Sequence, residues 1–89
     1  MIKYRPQKST LEESLSQARE FDTLDEMYDY IVFEWNEQGE LFSKEDLCVS
    51  DSSEKDSRTD WKETRYVCVK RMGNQEYTTP QCIGICSIE

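Results

Sequence analysis

The stretch from Thr23 to Asn36 constrains the fold more than any other part of this chain. Thr23-Leu24-Asp25-Glu26 has the form of a capping box, in which the threonine hydroxyl accepts an orphan amide and the glutamate reaches back to the cap. Leu24, Met27, Tyr28, Ile31 and Trp35 then follow the 3.6-residue period, with Val32 at the edge of the stripe. The pattern predicts an amphipathic helix running to about Asn36, stopped by Gly39. A helix with one apolar face needs a second layer to bury it.

The rest of the chain supplies that layer. A first, weaker helix is expected after Thr10-Leu11-Glu12-Glu13, with Leu11, Leu15 and Ala18 facing inward at i, i+4, i+7. Beyond the second helix the pattern is β-like. Leu47-Cys48-Val49-Ser50 is a short strand, and Trp61 to Met72 is a longer one centred on Tyr66-Val67-Cys68-Val69. Gly73-Asn74 begins a turn, and Pro80 is expected to end that loop before Cys82 to Ile88. Ile2-Lys3-Tyr4 adds a strand that Pro6 stops. The polar run 51–60, Asp-Ser-Ser-Glu-Lys-Asp-Ser-Arg-Thr-Asp, offers no evident anchor and reads as a mobile connection. The expectation is a single α+β domain over residues 1–89, with two helices packed on a mostly antiparallel sheet of three to four strands.

Composition narrows the chemistry. The chain has no histidine and sets 19 Asp and Glu against 11 Lys and Arg, a net charge of −8. The usual imidazole base and metal ligand are therefore missing, and the charge balance opposes direct binding to nucleic-acid backbones or anionic membranes. Three scattered glycines form no phosphate loop. No cofactor is implied, no catalytic residue stands out, and a non-enzymatic role is expected. The opening Met-Ile-Lys-Tyr-Arg-Pro has no apolar h-region, and no run is long enough to span a bilayer, so a cytoplasmic setting is expected. There, Cys48, Cys68, Cys82 and Cys86 would stay reduced. Cys82 and Cys86, four apart on a strand, should share a face. Core packing is their expected role. A four-thiolate zinc site and a reactive thiol are the alternatives, although the spacing is wrong for the usual zinc hairpins.

The sharper lead is the stretch from Glu20 to Ser43, which carries eight acids and no lysine or arginine. On the second helix, Asp22, Asp25, Glu26 and Asp29 lie opposite or beside the apolar stripe. Rows at i, i+4 lie roughly 6 Å apart, a spacing close to that of neighbouring phosphates. Such a face suits a basic partner surface or imitation of a nucleic-acid backbone, and it also serves plain solvation and the N-terminal dipole. Tyr30 and Phe33 fit the core stripe poorly and are expected to project outward as a contact patch for a partner protein or a second copy of the chain. The alternative is that the first helix or the N-terminal strand covers them. Trp61 and Tyr77 either line a shallow pocket or close the end of the core. Arg65, Lys70 and Arg71 are the candidates for holding a small anionic signalling molecule.

Arg5-Pro6-Gln7 with Thr10-Leu11-Glu12-Glu13-Ser14, Trp61 through Tyr66-Val67-Cys68, and Thr79-Pro80-Gln81-Cys82-Ile83-Gly84 together resemble a group of short proteins of unknown function. These are carried by prophages and conjugative elements of Gram-positive, often gut-dwelling, bacteria. The resemblance covers nearly the whole chain and implies a mobile-element origin and a bacterial cytosol. It brings no activity, substrate or site residue with it. An acidic protein-interaction module is the leading functional expectation. An acidic inhibitor of a defence or other nucleic-acid-binding protein, and a small-anion binder, are the alternatives.

Overall fold

Both threonines act as helix caps. In the computed structural model, which describes residues 1–39, 41–51 and 53–89, Thr10 Oγ1 accepts from the Glu13 amide and opens α1 (Leu11–Ser16). Thr23 Oγ1 accepts from the Glu26 amide and opens α2 (Leu24–Trp35). A 3-10 turn, Asn36–Gln38, follows α2, and Gly39 ends it at φ 135°, in a region that L side chains rarely adopt. The helices accompany β1 (Ile2–Pro6), β2 (Arg19–Phe21), β3 (Leu47–Val49), β4 (Thr64–Met72) and β5 (Gln75–Ile88). These form one antiparallel sheet in the order β2-β1-β5-β4-β3. The class is α+β. The sheet has five strands rather than the expected three to four, because Arg19-Glu20-Phe21 pairs with β1 at the edge although only one of its side chains is apolar. None of the described helices is long and apolar enough to cross a membrane.

Strand alternation sorts the side chains into two layers. Ile2, Tyr4, Leu47, Val67, Val69 and Cys86 turn toward α2, where Met27 and Ile31 are fully buried. Arg5 and Ser87 lie on the opposite face, which α2 leaves free, and both are buried there as well. Gly84 is required where the sheet is tightest. A Cβ at that position would stand 2.6 Å from the Arg5 carbonyl oxygen and 2.7 Å from the Tyr4 ring.

Two irregularities in the β4–β5 ladder reset the alternation. Val67 pairs with Gly84 but Cys68 pairs with Cys82, so Ile83 is an extra residue. It turns into the core, and the bulge puts Cys82 on the face opposite Cys86, contrary to simple period-two reasoning. Further along, Val69 pairs with Gln81 and Arg71 with Glu76. Pro80 sits in this looped-out part of a continuous β5, where no ladder donor is needed, and so does not end a loop as expected. Gly73, at φ 62°, makes the β4–β5 turn as its sequence suggests.

The inward stripe expected on α1 is not observed. Leu15 and Ala18 are exposed, and the buried residue is Ser14, whose hydroxyl donates to the Pro6 carbonyl at 2.6 Å. With six residues, α1 is too short to present a two-turn apolar face, and a polar contact docks it instead. The 51–60 connection, of which Ser52 lies outside the described residues, does have an anchor. Asp56 Oδ2 accepts from Arg5 Nη2 at 2.6 Å, with the two side chains 9% and 2% exposed. Trp61 is buried beneath the Arg5 guanidinium, 4.5 Å from the ring centre. Glu54 bridges to Thr64. The segment thus covers part of the face opposite α2.

Candidate functional site

α2 presents its unusual surface on the side away from the sheet. At 100° per residue, Phe33 lies about 180° around the helix from Leu24. It is 66% exposed, the most exposed large apolar side chain among the described residues. Asp22, Asp25, Glu26 and Asp29 are exposed around and ahead of it. Among the ion pairs of the described residues, one cation reaches this face. Lys44 Nζ lies 2.7 Å from Asp25 Oδ1 and 3.0 Å from Asp29 Oδ1, and these hydrogen bonds hold its ammonium above the usual lysine range. The 3-10 turn Lys44–Asp46 places Lys44 through a capping box, Ser43 N donating to Asp46 Oδ2 at 3.1 Å, and Arg71 ties Asp46 back to β4. Asn36 braces the preceding loop by donating to the Phe42 carbonyl and accepting from the Leu41 amide. Asp22 and Glu26 have no ion pair among the described residues, whereas Asp25 and Asp29 share one. Glu40, the eighth acid of the 20–43 stretch, lies outside the described residues.

Tyr30 does not join Phe33. Its ring packs edge-on against Tyr4 of β1 at 6.4 Å and tilts against Phe21 of β2 at 5.4 Å. Arg19 lies over it at 5.8 Å. The expected outward aromatic pair is therefore split: the N-terminal strand and the unforeseen β2 cover Tyr30, and Phe33 stands alone. Trp61 is buried beneath Arg5, and Tyr77 packs partly buried against the core under α2.

The cysteines divide between layers. Cys86 is fully buried against α2, and burial pushes its thiol up to about 11. Cys48, Cys68 and Cys82 stand side by side in register on the face opposite α2. Burial raises Cys68 and Cys82 as well, although Cys82 is exposed, which departs from a core-packing role. All four are free thiols. Among the described residues no group of three or more His, Cys, Asp or Glu side chains is arranged to hold a metal ion.

Arg65, Lys70 and Arg71 do not converge. Arg65 Nη1 donates to the Ser50 and Asp51 carbonyls at 2.8 Å each, Arg71 pairs with Asp46 at 3.4 Å, and Lys70 is exposed on the other side of β4. Five residues of strand set Arg65 about 17 Å from Lys70. The polar groups that do come together are Arg5 and, 51 residues further on, Asp56 with its neighbour Arg58. A charged residue alternating with Ile2 and Tyr4 in the first strand, and a tryptophan closing a polar tract, were the available signals. Comparisons of the chain with protein-family models, curated proteins and solved structures gave no match.

Proposed function

We propose that this protein is a non-enzymatic, acidic interaction module of a bacterial mobile element, which docks the outer face of α2 into a basic groove on a partner protein. The observation that carries the reading is Phe33, 66% exposed on a helix face with the exposed acids Asp22, Asp25, Glu26 and Asp29, two of which pair with Lys44. A lone aromatic ringed by charge has the make-up of an interface anchor, with the apolar ring filling a pocket and the carboxylates steering the encounter. The absence of histidine and the upward shift of three thiols support a role without chemistry. Imitation of a nucleic-acid backbone has less support, because Lys44 engages two of the four helix carboxylates and interrupts their row.

The test is affinity capture from a bacterial lysate followed by binding measurements on the captured partner, comparing the wild type with Phe33→Ala. An anchoring aromatic contributes about 2 kcal/mol or more, so Phe33→Ala should weaken the complex about thirtyfold. Affinity should also fall steeply between 50 and 300 mM salt. A partner bound equally well by Phe33→Ala, or bound without salt dependence, would end this reading.

A further inference from the structure

The side of the sheet away from α2 carries a cavity of about 270 Å³ between the end of β1, the start of α1 and the tip of the 51–60 connection. Its lining includes Arg5, Lys8, Thr10, Arg58, Tyr66 and Cys82. Arg5 is the notable member. Its side chain is 2% exposed, Nη2 is taken by Asp56, and the guanidinium lies over Trp61. Nη1 is buried and has no hydrogen-bond partner among the described residues. A buried guanidinium nitrogen left unpaired is costly, and native structures rarely leave one without a reason. Trp61 favours the cation through its ring face, yet a ring face does not satisfy the remaining N–H donors.

Two further cations, Lys8 and Arg58, are exposed at the rim. Against these three positive charges the described residues around the cavity set Asp56, which leaves an excess of two within a chain of net charge −8. Glu13 is held by Ser9 at the outer rim and does not line the cavity. The α2 carboxylates lie beyond the sheet and are screened over about 8 Å at physiological salt. Thr10 Oγ1 accepts from the Glu13 amide, so its own proton remains to be donated.

We infer that this cavity binds a phosphoryl dianion, as inorganic phosphate or a small phosphomonoester, with Arg5 Nη1 as its buried donor and Lys8 and Arg58 closing over it. A planar carboxylate is less well matched. Asp56 already occupies one arm of the Arg5 fork, so the bidentate geometry that favours carboxylates is not on offer. Donors approaching singly from three directions suit a tetrahedral oxyanion, and two excess positive charges suit a dianion. The site is on the opposite face from Phe33 and independent of any partner docked there.

The experiment is a titration of the intact protein with inorganic phosphate, adenosine monophosphate, acetate and chloride at constant ionic strength, followed by the NMR signals of the Arg5 Nε–H and the Trp61 indole N–H. Saturable shifts of both signals with phosphate are expected, with acetate and chloride leaving them in place. Tighter binding of adenosine monophosphate than of phosphate would identify a phosphomonoester as the ligand, and the reverse order would identify the free ion. Because Arg5 is buried and its replacement endangers folding, the deciding variant is Lys8→Ala/Arg58→Ala, which alters only exposed rim side chains. It should weaken phosphate binding at least tenfold while the spectrum stays folded. Linear shifts that never saturate, an equal response to acetate, or unchanged affinity in the double variant would each overturn the assignment.

Discussion

Replacing Asp56 by alanine tests whether the polar connection is a structural part of the domain. Arg5 is carried to the face opposite α2 because Ile2 and Tyr4 take the alternate, core-facing positions of β1. There it is 2% exposed, with Asp56 at 2.6 Å as its charge partner and Nη1 already unpaired. Removing the carboxylate leaves a buried charge with nothing to balance it, which costs about 3–5 kcal/mol. At about 0.05–0.15 kcal/mol per residue, a domain of this size has about 4–13 kcal/mol in total. Asp56→Ala should therefore lower the melting temperature by at least about 12 °C, whereas Asp60→Ala, exposed in the same connection, should change stability by less than about 0.5 kcal/mol. Thermal unfolding followed by circular dichroism, and urea unfolding followed by tryptophan fluorescence, measure both variants. Replacing the pair together, Arg5→Met/Asp56→Leu, should recover most of the loss, since an apolar pair of similar size avoids the desolvation cost.

The same pair makes the stability depend on pH. Burial pushes the Asp56 carboxyl up, but hydrogen bonds from the Arg58 backbone amide, Arg5 and Thr59 outweigh it and hold the group below its ordinary 3.8. A carboxyl lowered on folding stabilises the native state above its unfolded value and loses that contribution as pH falls through the folded one. The gap between wild type and Asp56→Ala should hold from pH 7 to about pH 5 and shrink below about pH 4. An Asp56→Ala protein as stable as Asp60→Ala at neutral pH would refute the reasoning.

Gly84→Ala should destabilise by about 1–3 kcal/mol or more, because its Cβ would meet the Arg5 carbonyl oxygen, which cannot swing aside as a side chain can; a wild-type melting curve would contradict this. Alkylation with iodoacetamide at pH 8, followed by peptide mass analysis, should modify the exposed Cys82 first and Cys86 only on unfolding. With its thiol near 11, Cys86 is about one part in a thousand thiolate at that pH, and equal labelling of the two would count against the assigned faces. Ile31→Ala, emptying a fully buried position, should cost about 2–5 kcal/mol. Phe33→Ala should leave unfolding unchanged within about 0.5 kcal/mol, and comparable losses would mean that Phe33 is covered.

α2 was legible because three local signals agree along one segment: a capping threonine, an apolar stripe of the right period and a glycine past its end. Met27 and Ile31 sit at the centre of the core as that pattern requires. Tyr30 was misplaced by the same arithmetic, since helical angle gives a direction but not what waits there. Its cover comes from Phe21, on a three-residue strand whose existence depends on pairing with β1. Cys82 was assigned to the wrong face for a related reason: counting by twos fails at a bulge, and Ile83 carries no local mark of being an extra residue. Asp56 looked like any acid of a solvated loop. Its partner is 51 residues away, and separations of that kind leave no periodic trace in a sequence.

Charge and fold are coupled in a way that neither the net charge nor the sheet alone conveys. The eight acids between Glu20 and Ser43 equal the whole net charge of −8, so the remainder of the chain is balanced, eleven acids against eleven bases. The sheet stands between α2 and the face that holds Arg5, Trp61 and Asp56. A basic protein would therefore feel its attraction on the α2 side, while a small anion would meet the Arg5 cavity on the side where the local balance is positive. Lys44 moderates the first of these fields by folding back onto Asp25 and Asp29. With that cation in place, acids without an ion pair among the described residues run from Asp22 and Glu26 at the start of α2 to Glu34 and Glu37 near its end, where the exposed Phe33 also lies. A partner groove that is basic along its length, with an apolar pocket placed for Phe33, would match this arrangement, and a basic groove without such a pocket, such as one built for a nucleic-acid backbone, would leave Phe33 unused.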